Sequence, residues 1–398
     1  MKTFTSQSIS KENHESSLYE FRYKAFLIFL SGYVFLSGFV FVEPSPAEIW
    51  FLLFFPLLIQ QFSTSWRIIF TLFLLFLPLS ISTFIGVIFG LLDFKFFIID
   101  IYLFVFFFVV VSYIQNLQNQ NINTQDLIEK IMKYWAWAGG INILFGLYAL
   151  VSGRESIFGF NNLIYGIRLK GFFKDPNVLG PFLVPVAVYF LIRWLDSKKS
   201  YLSFLYFLFF SFGTLLTFSR AAWLNYALAV MIVLAMRIIK KKNVSRVIWF
   251  LVLAFILFSI FLTMSGRIYF LDINLKDFLK SRMGLQSYDT GRFEAQRKFV
   301  DIMFSQGILS FLFGVGPGNY EFFAGMATHS LFARYIGERG FFGISLFVIF
   351  IIVIWQKTIH SQNKDFLISV LLGQFVNSLF IDSLHWRHLW LLFFLTYL

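Results

Sequence analysis

Apolar runs separated by short polar segments repeat along almost the whole chain. Twelve can be marked, roughly at 25–42, 49–63, 68–89, 96–114, 134–152, 177–194, 201–217, 221–238, 247–264, 335–356, 366–382 and 387–398. A helix needs ~20 predominantly apolar residues to cross the hydrocarbon core of a bilayer, and many of these runs approach that length. The pattern predicts an all-α, polytopic membrane protein with about twelve transmembrane helices. Pro181 and Pro185 fall inside the sixth run and predict a kink there. One polar stretch, 265–334, is much longer than the others. It divides the chain into a tail (1–24), nine spans (25–264), the loop itself and three closing spans (335–398). Within the loop, Phe293, Ala295, Phe299, Val300, Met303 and Phe304 recur at helical spacing and Gly307 offers a stop. This predicts an amphipathic helix over 292–304, lying on the outer surface of the spans. No period of 20–50 residues indicates a repeat array.

Composition strengthens this reading. The chain is 58% hydrophobic and 14% charged, against about 25% charged in soluble domains. Its 59 phenylalanines add lipid-facing bulk. There is no cysteine, which excludes structural disulfides, thiolate zinc sites and cysteine nucleophiles. The net charge of +12 fits cytoplasmic loops rich in Lys and Arg, and no basic-aromatic soluble module points to nucleic acid. The densest basic segment, Arg237 to Arg246, marks a cytoplasmic loop, while Glu43 to Glu48 holds two acids and no base. The positive-inside rule then places the N-terminus in the cytoplasm. The run Ala25 to Val42 is too long for a signal-peptide core and lacks an A-x-A site after it, so it reads as a retained first span.

With that orientation, three polar stretches face the outer side together. They are Gly171-Phe172-Phe173-Lys174-Asp175-Pro176-Asn177, Thr217-Phe218-Ser219-Arg220, and Ala327-Thr328-His329-Ser330 followed after nine residues by Gly340. His329 has the ordinary pKa of a general base at neutral pH; a hydrogen-bonded histidine at a helix start is the alternative. Arg220 sits at the tip of a tight helical hairpin, where it either snorkels to headgroups or holds phosphate oxygens with its planar fork. Ser219 is positioned to cap the helix that follows. Arg292 follows Asp289-Thr290-Gly291, a plausible cap, and so falls in a first helical turn, where the helix dipole disfavours a cation. An anionic ligand or a salt bridge would account for it. Arg168, Lys170 and Lys174 form a basic cluster ahead of the Asp175-Pro176-Asn177 turn, facing either lipid headgroups or the route of an anionic substrate. His385 and His388 flank Trp386 and Arg387 without a third ligand nearby, and read as interfacial structural residues. Asp100 is the acid expected inside a span. No paired carboxylates, P-loop or dinucleotide fingerprint occurs. The run Gly314-Val315-Gly316-Pro317-Gly318 reads as a tight turn returning the loop to the membrane.

At these positions, over about residues 150–350, the chain resembles the O-antigen ligase and O-antigen polymerase superfamily of bacterial inner-membrane glycosyltransferases. The three stretches above, together with Gly291-Arg292 and the Gly314 to Gly318 turn, occur in the superfamily's order. The His-Ser, nine residues, Gly pattern is similar to the ligase signature. The resemblance implies a metal- and cofactor-independent transfer on the periplasmic face, from a glycan on undecaprenyl diphosphate to an acceptor such as lipid A–core. It implies that Arg220 and Arg292, with Arg168 and Lys174, engage the diphosphate, and that His329 activates the acceptor hydroxyl with inversion at the sugar carbon. A repeat-unit polymerase is the nearest alternative. A transporter or flippase is the rival of a different class, but carriers favour midplane charges and inverted repeats, whereas the notable bases here cluster at the outer ends of the spans.

Overall fold

The computed structural model describes residues 21–59, 65–91, 93–119, 125–197, 201–270, 273–284 and 287–398. The first twenty residues of the predicted tail and the end of the run 49–63 lie outside them. A helix falls on every apolar run marked above. They are α1 (21–36), α2 (Pro46–Ile59), α3 (Trp66–Ile88), α4 (Phe94–Asn119), α5 (Gln125–Ser152), α6 (Pro176–Asp196), α7 (Tyr201–Leu216), α8 (Arg220–Ile239) and α9 (Val244–Met264). After the long loop come α15 (Leu331–His360), α16 (Lys364–Phe380) and α17 (Arg387–Leu395). The protein is thus all-α and polytopic. Among the described residues six helices, α3, α4, α5, α6, α8 and α15, are long and apolar enough to cross a membrane.

Charge and capping residues define the two ends of the bundle. Pro176 opens α6 and the Asp175 carboxylate accepts from the Asn177 amide at 2.6 Å, the expected chemistry of a helix start. Ser219 and Ser330 cap α8 and α15 in the same way. At the opposite end of α8, Arg237 and Lys242 pair with Asp196, and Lys240 with Asp365. Helix α6 is the most buried of the six long apolar helices and packs against α5, α7, α8 and α16. By contrast, α9 exposes Ile248, Trp249, Val252 and Phe255, a surface that suits lipid contact rather than water.

The loops at the α6 and α15 starts fold as well. Two two-residue hairpins precede α6: β1 (Ser156–Ile157) with β2 (Phe160–Asn161), and β3 (Leu163–Ile164) with β4 (Arg168–Leu169). The long loop contains a third, β5 (Tyr269–Phe270) with β6 (Ile273–Asn274), followed by α10 (Leu275–Met283), α11 (Ser287–Arg297), α12 (Phe299–Phe304), α13 (Gly307–Phe313) and α14 (Tyr320–Ala324). The amphipathic helix expected over 292–304 is therefore two helices, jointed at Lys298, and Gly307 (φ +68°) opens a further helix rather than closing one.

The Gly314 to Gly318 turn packs against a break in α15. Gly340 has φ +65° inside that helix, so the segment from Ser330 does not run through it as regular helix. The Val315 and Gly316 amides donate to the Gly337 and Glu338 carbonyls freed there, at 3.2 and 3.0 Å. A Cβ on Gly314 would lie 2.2 Å from the Glu338 backbone, so only glycine fits. Below the break lies a buried ion network. Arg339 pairs with Asp100 of α4, and the Asp100 carboxylate also meets His385 at 3.1 Å. Glu338 joins Arg339 to Arg334, whose guanidinium also meets Glu321 at 2.7 Å and Asp382 at 2.5 Å. Asp100 is accordingly not alone among acids within spans; Glu338 is equally buried. Truncating one member of such a network strands its partner's charge, at a cost of about 3–5 kcal/mol.

Candidate functional site

Three capped helix starts, those of α6, α8 and α15, meet at one end of the bundle. The chain before α8 turns through Phe218 in the left-handed region (φ +49°), with the Ser219 amide donating to the Thr217 hydroxyl oxygen at 3.3 Å. That turn leaves Arg220 as the first residue of α8, where the helix dipole opposes a cation. An acid offsets this: the Arg220 guanidinium pairs with Asp289 of α11 and donates to the Gly284 carbonyl at 3.3 Å. Arg282, at the end of α10, donates to the Phe218 carbonyl at 3.2 Å.

These contacts fold the long loop over α8 and enclose a cleft of about 220 Å³. Arg220, Arg282 and Arg292 line it, with Asn177 and Gln296 as neutral polar groups and, among the described residues, one carboxylate, Asp289. The apolar side is formed by Leu224, Phe293 and Phe380. Three guanidiniums against one carboxylate leave the cleft with excess positive charge at a helix N-terminus, the arrangement that binds phosphate oxygens.

His329 reaches this cleft through its backbone. Gln296 donates to the His329 carbonyl at 2.9 Å, tying α11 to the start of α15. His329 itself is left-handed (φ +51°), and Thr328 and Ser330 hold it from both sides: the Ser330 amide donates to the Thr328 hydroxyl oxygen at 3.0 Å. Its ring is half-buried. Burial, and then the nearby Arg292 charge, push its pKa below the ordinary 6.5, against the opposing pull of Asp382, Asp175 and Glu321. The neutral imidazole is the form present at neutral pH, as a base requires.

The other residues singled out in the sequence separate into different places. Arg292 lines the cleft, but it lies in the second turn of α11 rather than the first, because that helix is already formed at Ser287. The dipole argument for it does not hold; its place in the cleft does not depend on that argument. Arg168, on β4, is buried and donates to the Thr217 carbonyl at 3.1 Å and the Asn177 side-chain oxygen at 3.3 Å, behind the cleft wall. Lys174 is not in this cleft: it pairs with Glu43 at 2.6 Å on the other side of the α6 start. Gly171 is left-handed (φ +57°) and packs on Asn142, whose side-chain oxygen accepts from the Phe172 amide at 2.7 Å. His385 and His388 join no group of three or more candidate metal ligands among the described residues. Arg282, Gln296 and Asn142 gave no signal in the sequence, and Asp289, read there as a helix cap, pairs instead with Arg220. Each is placed by packing between segments far apart in the chain.

In comparison with known proteins, residues 205–348 fit the family model described as O-antigen ligase. The resemblance read from the motifs is thereby borne out over this segment. It runs from α7 into α15 and contains Arg220, Arg282, Arg292 and His329, while Arg168 and Lys174 lie outside it. No curated protein and no solved structure matches the chain.

Proposed function

With residues 205–348 of O-antigen ligase type, we propose that the protein is a glycosyltransferase that moves a glycan from undecaprenyl diphosphate to a hydroxyl of a lipid-anchored saccharide, lipid A–core or similar, on the periplasmic face of the inner membrane. In this reading Arg220, Arg282 and Arg292 bind the donor diphosphate. His329 takes the proton from the acceptor hydroxyl as that oxygen attacks the anomeric carbon. The new C–O bond forms as the bond to the diphosphate breaks on the opposite face, which inverts the configuration. The leaving diphosphate carries away the electron pair, and the arginines neutralise its charge. Positioning and charge neutralisation then carry most of the rate. Arg168 acts at one remove, by fixing the Thr217 turn and Asn177.

The observation that carries this reading is the cleft itself: three arginines at the start of α8, tied by Gln296 to the loop that holds a neutral histidine. A repeat-unit polymerase would use the same chemistry with a second lipid-linked glycan as acceptor. The test is transfer by purified Arg220→Ala and Arg220→Lys. Lysine keeps the charge but loses the bidentate fork, so both are expected to lose about 10²–10³ in transfer rate with expression retained. Wild-type transfer in both would place the diphosphate elsewhere. The orientation is checked separately in this cysteine-free chain. Ser156→Cys is expected to react with an impermeant maleimide from the periplasmic side, and Asn243→Cys is not.

A further inference from the structure

A second cleft, of about 280 Å³, lies across the start of α6 from the first. The two share a thin partition. Asn177 and Ile381 line the first, while Val178 and Asp382 line the second. His329 precedes the helix that joins the two walls: Gln296 of the first cleft donates to the His329 carbonyl at 2.9 Å, and Arg334, five residues on, meets Asp382 of the second at 2.5 Å.

The chemistry of the second cleft differs from that of the first. Its three bases face three acids: Lys174 and Lys95 share Glu43, at 2.6 and 3.7 Å, Arg387 pairs with Glu48, and Asp382 adds a carboxylate to the wall. It has no surplus charge for a diphosphate. Instead it offers a half-buried Trp386 beside polar groups, the mixture of ring face and hydrogen-bonding groups that suits a sugar. Two polar atoms of its wall are buried without a hydrogen-bond partner among the described residues, Nε2 of His388 and Nε of Arg387. His388 is 3% exposed, and an unmade bond at a buried ring nitrogen costs about 1–3 kcal/mol unless a ligand supplies the partner. The sequence reading gave His388 a merely interfacial role.

We propose that this second cleft is the acceptor site, taking the terminal sugar of a lipid-anchored glycan, stacked on Trp386 and hydrogen-bonded by His388, with its hydroxyl directed across the partition to His329. This rests on the transferase reading above, and the experiment separates the two. Lys95→Cys places a thiol at the mouth of the second cleft, where Lys95 is 65% exposed, and Leu224→Cys places one in the first. The probes are undecaprenyl diphosphate, lipid A–core and an undecaprenyl-diphosphate-linked glycan, each added at ten times its Kd before an impermeant maleimide. Undecaprenyl diphosphate is expected to slow labelling of Leu224→Cys about tenfold by occupancy and to leave Lys95→Cys unaffected. For a ligase, lipid A–core slows Lys95→Cys alone. For a polymerase, only the lipid-linked glycan slows it, together with Leu224→Cys. His388→Gln and Trp386→Ala should relieve protection at Lys95→Cys and not at Leu224→Cys. The acceptor assignment is overturned if neither saccharide protects Lys95→Cys, if undecaprenyl diphosphate does so, or if both variants leave its protection intact. Lack of protection at Leu224→Cys by any diphosphate would instead overturn the donor reading.

Discussion

Thr217-Phe218-Ser219 and Thr328-His329-Ser330 are the same turn built twice. In each, the middle residue is left-handed, at φ +49° and +51°. The serine amide donates to the threonine hydroxyl oxygen, at 3.3 and 3.0 Å, and the serine hydroxyl oxygen accepts from the amide three residues on, at 3.4 Å in both. Each turn starts a long helix at the same end of the bundle. They differ in what the strained position carries. Phe218 is buried and packs edge-on against Phe278 with ring centroids 4.9 Å apart, anchoring the long loop to α8. His329 is half-buried beside Arg292. A non-glycine residue at positive φ is uncommon and costs of order 1–3 kcal/mol. One copy uses that geometry for packing; the other places a titratable ring near the charge of Arg292, a residue of the first cleft. Local backbone alone therefore does not mark a reactive site. The side chain and the charges around it do.

The comparison is tested most strongly at His329. Asparagine tolerates the left-handed region but has no titratable ring, so His329→Asn should keep the turn and lose the base. Transfer is expected to fall ~10²–10⁴-fold, while thermal stability and protection of Leu224→Cys by undecaprenyl diphosphate stay near wild type. A transfer rate close to wild type would return His329 to the same packing role as Phe218.

Phe218→Ala should give the reverse pattern. Removing a buried ring of this size costs about 3–5 kcal/mol in a protein interior, read as a lower unfolding temperature in detergent. The donor KM should rise as the long loop loosens, and the acid limb of the pH profile should stay in place. An unchanged unfolding temperature would show that this turn does not anchor the loop.

Arg292→Gln bears on the charges around the second turn. Arg292 holds the His329 pKa down, after burial, so its removal raises that pKa toward 6.5. Transfer needs the neutral imidazole and is lost as pH falls through its pKa. The acid limb of kcat/KM should therefore lie below pH 6.5 in wild type and move to higher pH in Arg292→Gln, whatever the loss in absolute rate. A limb that does not move would mean that another group titrates.

Much of the fold and part of the site were legible in the sequence, for identifiable reasons. The spans are visible because a bilayer demands long apolar runs. Ser219 is visible as a cap, and the Asp175-Pro176-Asn177 turn as a helix start, because each immediately precedes one. Arg220 and His329 stand out because each is a basic side chain next to a capping serine, at the point where polar chain meets a span. The kinked α15 was not legible, because Gly340 breaks it only in concert with the Gly314 turn, which packs there from the long loop. The Asp100–Arg339 pair joins residues 239 positions apart, and no local pattern encodes such a pairing. Arg282 and Gln296 are ordinary polar residues of short surface helices until the loop folds back onto α8 and α15. Arg292 was selected by a dipole argument that the true start of α11 removes, yet it lines the cleft through tertiary packing.

The smallest expected effect is also the most direct check that the two turns are equivalent. Ser219→Ala and Ser330→Ala each remove one capping bond of the same 3.4 Å length at the start of a long helix. Loss of a serine cap costs about 1 kcal/mol, and helices already held by packing should show no more than that. The two variants should therefore lower the unfolding temperature by similar amounts. Their functional effects should differ in kind. Ser219→Ala loosens the backbone that presents Arg220, so it should raise the donor KM. Ser330→Ala loosens the backbone that presents His329, so it should lower kcat while donor binding holds. Equal stability losses with that split would show one structural unit serving two steps of the transfer. Equal losses with no split would leave the two turns as helix starts and nothing more.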